Sequence, residues 1–153
     1  MKKIYIFLMG IIVVIIFCGL IYYAKQKSNL LPAAEGAIIT YTSSPTYGTV
    51  EEINNYFMIE VYSDKSLRYG YYNDQDKMKI SLNEDEYTEI IKLAFGNVFN
   101  NLADDISDKN IMDGSEVYIS LFYSDGTSRK IGGINPRNTT FDRLVTLLLR
   151  YTE

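Results

Sequence analysis

The sequence predicts an α+β protein. An N-terminal transmembrane helix is followed by a small two-layer domain, in which an antiparallel sheet of five or six strands carries two helices on one face. Three patterns predict it. Residues 4–23, IYIFLMGIIVVIIFCGLIYY, hold no charge, with Lys2 and Lys3 before them and Lys25 and Lys27 after. A helical stripe of apolar residues runs from Tyr87 to Leu102. Elsewhere short segments alternate apolar and polar residues between turn-forming ones.

A bilayer core takes about 20 apolar residues, and backbone groups inside lipid must pair within their own segment, so Ile4 to Tyr23 is expected as a helix. The run is longer than the roughly 7–15 residues of a signal-peptide core, which points to an uncleaved signal-anchor. A small-x-small pattern at Ala34-Glu35-Gly36 lies far past the run. A lipoprotein signal acylated at Cys18 would want a small residue before the cysteine. Bulky Phe17 stands there and the apolar run continues, so Cys18 reads as apolar filler. The expected single-pass arrangement in the cell membrane has a cytoplasmic tail at 1–3, the anchor in lipid at 4–23, a juxtamembrane linker at 24–36 and an extracytoplasmic domain at 37–153. The lysines on the two sides differ little. A short tail before the helix and a large acidic domain after it favour the N-terminus inside.

The charge supports that placement. All 19 acidic residues lie beyond Lys27, together with 11 of the 15 basic ones, so the domain is eight units negative. Such a domain disfavours nucleic acid, whose phosphates need Lys and Arg. It also has no basic patch for anionic lipid. There is no His, and the one Cys lies in the apolar run. Disulfides, Cys/His zinc sites, thiol and Ser-His-Asp catalysis and a His switch are therefore all excluded from the domain by composition.

Along the domain, Ala37 to Thr42 reads as a first strand, and Ser43 to Thr49 as a loop. Tyr56 to Tyr62 and Leu67 to Tyr72 form a hairpin. A three-residue loop, Ser63-Asp64-Lys65, sets Val61 opposite Leu67 and Glu60 opposite Arg68. It gathers Phe57, Ile59, Val61, Leu67, Tyr69 and Tyr71 on one face and allows a Glu60–Arg68 ion pair. The other face then shows Tyr56, Met58, Tyr62 and Tyr72. Met78 to Ile80 is a further short strand. Glu84 to Leu102 reads as one continuous helix whose stripe buries Ile91 and Phe95. Ser81 with Glu84, or Asn83 with Glu86, caps it. Ala103 to Ser115 is a long polar connection. Glu116 to Tyr123 alternates into a second hairpin, with Gly126 left-handed in its turn and Ile119 opposite Ile131. Gly132 to Asn138 is a loop, held out of helix and central strand by Pro136. Thr139 or Thr140 then caps a last helix marked by Phe141, Leu144, Val145 and Leu148. This order of elements is one many small secreted bacterial domains share, an analogy of fold order alone.

Tyr62-Ser63-Asp64 with Arg68 recurs as Tyr123-Ser124-Asp125 with Arg129. A duplication would set Phe122 and Ser120 where Val61 and Ile59 stand, reversing the buried face, so shared turn chemistry explains the match better.

Three features test as sites. Asp104, Asp105, Asp108, Asn110 and Asp113 cluster as oxygen donors for calcium. On an EF-hand loop starting at Asp108, Met112 and Ile119 fall where ligands are needed, so the motif fails and a solvated loop is expected. Asn138-Thr139-Thr140 matches a glycosylation acceptor but also a turn and helix cap. The 14 tyrosines could form a binding face, or fill half-buried strands. The remaining acids fall in helix starts, turns and loops, not in the paired, partly apolar setting a carboxylate hydrolase needs.

The expected function is a membrane-tethered extracytoplasmic protein-binding or accessory module, non-catalytic, without cofactor or metal. Its partners would be lipid through residues 4–23 and a protein at the envelope. The alternatives are an envelope enzyme inhibitor or immunity-type protein, marked by an exposed apolar loop, and a small carboxylate-based hydrolase, marked by a cleft with two facing acids.

Overall fold

The computed structural model describes residues 12–19, 31–46, 49–111 and 114–152. The chain divides into two compact units, Met1–Leu30 and Leu31–Glu153. In the first, residues 12–19 are helical with exposed side chains. The rest of the expected tail and membrane helix, and residues 24–30 of the expected linker, lie outside the described residues. Among the described residues no helix is long and apolar enough to cross a membrane. At a rise of about 1.5 Å per residue, 12–19 cover roughly 12 Å.

The second unit is α+β. Six strands, β1 (Ala37–Pro45), β2 (Phe57–Tyr62), β3 (Ser66–Tyr71), β4 (Met78–Ser81), β5 (Ser115–Phe122) and β6 (Ser128–Ile134), form one sheet in the order β4-β3-β2-β1-β5-β6. Every neighbouring pair is antiparallel. Two eleven-residue helices, α2 (Glu84–Ala94) and α4 (Thr139–Leu149), join two short ones, α1 (Val50–Asn54) and α3 (Asn97–Asn100).

Register follows side-chain alternation. The β2–β3 hairpin pairs Val61 with Leu67 and Glu60 with Arg68, as the three-residue loop requires. The β5–β6 hairpin pairs Ile119 with Ile131, and Gly126 takes φ +81° in its turn. Ile39, Ile59, Val61, Leu67, Ile119, Leu121 and Ile131 therefore share one face, all fully buried. Helix residues Ile90, Ala94, Phe99, Phe141, Leu144 and Leu148 are equally buried. Phe95 meets Tyr123 edge-on at 5.6 Å and Phe99 stacks on Phe141 at 6.3 Å, joining the helices to each other and to that face.

Several local features differ from the sequence reading. β1 continues through Ser43 and Ser44 to Pro45, because β5 pairs with it from Ile39 to Pro45; Pro45 stands at the strand's end, where the ladder loses least. The expected helix 84–102 breaks. Phe95 ends α2, Gly96 adopts φ −70° and ψ 155°, and α3 starts afresh. A Cβ on Gly96 would stand 2.5 Å from the Lys92 carbonyl oxygen, so only glycine allows the sharp bend. The Asn100 amide then donates to the Phe95 carbonyl at 2.9 Å. The bend turns the stripe: Phe99 is fully buried, Val98 is 68% exposed, and Ile91 and Phe95 are half-buried rather than core. Caps resolve to Asn83 with Glu86 for α2, and to Asn138, not Thr139 or Thr140, for α4.

The expected linker is part of the domain from Leu31 on. The Leu31 carbonyl accepts from Ser124 N at 2.9 Å, Ala33 N donates to Phe122 O at 2.9 Å, and Gly36 O accepts from Ser63 N at 3.1 Å. The chain thus enters the domain beside both hairpin turns.

Gly132 and Gly133 belong to β6 rather than a loop. Gly132 has φ +150°, and a Cβ there would lie 2.0 Å from the Val117 carbonyl oxygen. Gly132→Ala is therefore expected to cost about 1–3 kcal/mol or more, as overpacking against backbone that cannot yield. A urea midpoint equal to that of the parent chain would contradict this close approach.

Candidate functional site

The acidic loop does not converge. Asp104 receives Arg129 Nε at 2.7 Å. Asp105 accepts from the Ser107 N–H at 2.9 Å and its hydroxyl at 2.6 Å. Asp108 pairs with Arg137 Nε at 2.9 Å and accepts from Asn110 N at 3.0 Å. Asp113 lies outside the described residues. Among the described residues no group of three or more His, Cys, Asp or Glu could hold a metal ion. The loop instead covers the free edge of β6: Gly132 N donates to Asp104 O at 2.9 Å, Ile106 N to Gly132 O at 2.9 Å and Asp108 N to Ile134 O at 3.0 Å.

Asn138 acts as a cap, its side-chain oxygen accepting from Thr140 N at 2.9 Å and Phe141 N at 3.2 Å. The recurring Ser-Asp turns share one device. Asp64 accepts from the Ser66 N–H and hydroxyl at 2.9 and 2.6 Å, and Asp125 from the same groups of Thr127 at 2.9 and 2.6 Å. Asp105 and Ser107 repeat it outside either hairpin, so it is turn chemistry rather than the trace of a repeat.

The tyrosines divide. Tyr41 and Tyr123 are 5% and 4% exposed, and burial pushes both phenols up. Tyr123 donates to Asn100 Oδ1 at 3.0 Å. On the opposite, polar face of the sheet, Tyr56 and Tyr72 stack at 4.8 Å, Arg68 lies over Tyr62 at 4.7 Å and Lys130 over Tyr118 at 3.7 Å. Met58, expected on that face with them, is buried.

A groove of about 490 Å³ runs along this face beside β4, lined by Glu60, Tyr62, Arg68, Lys77 and Lys79 together with Asp74, Gln75 and Asp76. Glu60 pairs with Lys77 at 4.0 Å rather than with the expected Arg68, which stacks on Tyr62 instead. Asp74 accepts from Tyr71 N at 2.8 Å. Carboxylates and cations interleave here, and no acid sits in an apolar pocket of the kind that raises a catalytic carboxyl. Across the same edge, on the helix side, Tyr71 and Met78 are 51% and 60% exposed. Two other grooves lie elsewhere. One lies along α2 and α4 and includes Glu89, Arg143 and Arg150; the other lies beside the start of α4, lined by Tyr41, Val117 and Phe141.

The cations of the β4 edge and the role of Arg129 escaped the sequence reading. The signal for Arg129 was present: its register, opposite Leu121, sets a charge on the apolar face.

Each carboxyl with a displaced pKa is displaced downward. Hydrogen bonds from Ser66 lower Asp64, from Ser107 lower Asp105, from Thr127 lower Asp125 and from Thr49 lower Glu52. At acid pH the unfolded chain binds more protons at these sites than the folded one. Their stabilisation is present above the ordinary carboxylate range and is lost as the pH falls through the lowered values, below about 4. For the raised phenols of Tyr41 and Tyr123 the sign reverses, and stability declines above about 10. With no His in the chain, melting temperature is expected to stay level between about pH 5.5 and 8.5 and to fall on both sides. A midpoint moving by several degrees between pH 6 and 8 would contradict the assignment.

No protein-family model matches this chain, and a comparison with curated proteins finds no match.

Proposed function

We propose that the chain is a non-catalytic, single-pass membrane protein whose extracytoplasmic α+β domain binds another protein at the envelope. The observation that carries this reading is the pairing of one uncharged run, Ile4 to Tyr23, with a strongly acidic domain. The run has the length of a bilayer span. The domain beyond it has neither His nor Cys, and Asp64, Asp104, Asp105, Asp108 and Asp125 hold turns and ion pairs. A tether holds such a domain at high effective concentration near other membrane components, so modest contacts suffice for function. The exposed tyrosines of the β3–β4 region supply contact area at low entropic cost.

The test is crosslinking in native membranes followed by mass spectrometry, with photoreactive residues placed in turn over the domain surface. The reading expects one recurring protein partner from a contiguous set of positions. Crosslinks to lipid alone, or turnover of envelope polymer by the purified full chain, would contradict it.

A further inference from the structure

The two edges of the sheet are treated differently. β6 is covered by residues 104–108 of the same chain through three backbone hydrogen bonds. β4 stands last in the strand order, and among the described residues no segment pairs with its outer side. An open edge offers a row of backbone donors and acceptors to an added strand.

The side chains around β4 select what can add. Residues of an added strand alternate between the two sheet faces, as do those of β4. On the helix side stand Met78 and Ile80, with Tyr69 opposite Met78 and exposed Tyr71 beyond. On the polar side stand Lys79 and, directly across, Arg68. Three acids line that groove as well: Glu60 pairs with Lys77, Asp74 accepts from the Tyr71 N–H, and Asp76 stands among them, whereas Lys79 and Arg68 are the cations carried by β4 and its neighbour β3. Lys79 and Arg68 are both exposed and form no ion pair among the described residues; the Arg68 guanidinium lies over the Tyr62 ring, with Asp64 near enough to feel both charges.

We propose that β4 receives an extended segment of a partner protein as a seventh strand, and that the segment alternates apolar with acidic residues: apolar side chains against Met78 and Ile80, an acidic one against Lys79 and Arg68. This rests on the protein-binding reading above and names the surface and the partner chemistry. A lysine on an edge strand ordinarily guards against pairing. Here it rejects cationic strands, and two copies in register would set Lys79 against Lys79, so the same guard selects an acidic partner.

The test uses the full chain in detergent micelles and three labelled peptides read by fluorescence polarisation. One alternates Val and Glu, one alternates Val and Lys, and one is the Val/Glu peptide with its pairing amides N-methylated. The Val/Glu peptide is expected to bind at least tenfold tighter than either other, and Lys79→Glu to reverse the order of Val/Glu and Val/Lys. Lys79→Gln, which leaves Arg68 in place, should weaken the charge preference without reversing it. Absence of Val/Glu binding, equal binding of the N-methylated peptide, or a preference unchanged in both variants overturns the proposal. Photoreactive residues at Lys79 and, on the far side of the helices, at Thr146 separate the two readings in native membranes. A partner captured from Thr146 alone overturns the edge proposal and leaves the binding module standing. Capture from neither overturns the edge proposal, and the binding module falls with it only when the scan over the whole domain surface also captures no protein; Lys79-to-Lys79 dimers overturn the edge proposal in favour of self-pairing.

Discussion

Replacing Phe99 by Ala is expected to remove about 3–5 kcal/mol of stability, a large part of what a domain of this size holds. Phe99 is fully buried and stacks on Phe141 at 6.3 Å between ring centres. It sits on α3, a four-residue helix that the Gly96 bend turns inward. The lost ring leaves a cavity that a short helix held at its last residue cannot collapse to fill: the Asn100 side chain donates back to the Phe95 carbonyl, and Arg129 donates to the Asn100 carbonyl. Val98→Ala, one residue away and 68% exposed, should change stability by under about 0.5 kcal/mol. Urea denaturation of both variants checks the pair. Equal costs would mean that the helix does not bend at Gly96 and that the apolar stripe runs straight through.

The second large effect is expected at Arg129. Its Nη1 and Nη2 donate to the carbonyls of Asn100 and Leu102, and its Nε to Asp104. The last carbonyls of a helix have no partner within it, and here the guanidinium fork supplies one. The Arg129 side chain is only 19% exposed, whereas that of Asp104 is 73% exposed. Arg129→Ala strands two part-buried carbonyls, at about 1–3 kcal/mol each, so a total of roughly 2–6 kcal/mol is expected. Asp104→Asn leaves those bonds intact and loses only an exposed ion pair, worth under about 1 kcal/mol. Should the two substitutions cost the same, the ion pair rather than carbonyl capture would be the function of Arg129.

The residues that spoke clearly in the sequence are those whose side chains must alternate or cap. The β2–β3 register followed from keeping Ile59, Val61 and Leu67 on one face. For the start of α2 two capping spacings were legible, Ser81 with Glu84 and Asn83 with Glu86, and the structure realises the second, Glu86 accepting from Asn83 N at 2.8 Å. What stayed hidden depends on backbone placed by distant parts of the chain. Gly96 interrupts a stripe whose periodicity carries straight on, and only the Lys92 carbonyl reveals why glycine stands there. Gly132 and Gly133 read as a loop because a close backbone approach leaves no side-chain pattern. Residues 31–36 read as a linker for the same reason, their hold on the hairpin turns being made by main-chain groups. The candidate surface was hidden at another level. Lys77-Met78-Lys79-Ile80 shows an alternating strand, but strand order, which decides that β4 is an open edge while β6 is covered, is set by pairings far apart in sequence.

The membrane placement on which the functional account depends is open to one direct measurement. Protease is added to sealed right-side-out membrane vesicles carrying the full chain, and to inverted ones. The account predicts that the α+β domain, Leu31–Glu153, is digested in the first and protected in the second, with a fragment containing residues 4–23 retained in the membrane. Protection in right-side-out vesicles with digestion in inverted ones, or release of the intact chain by an alkaline carbonate wash, would contradict it.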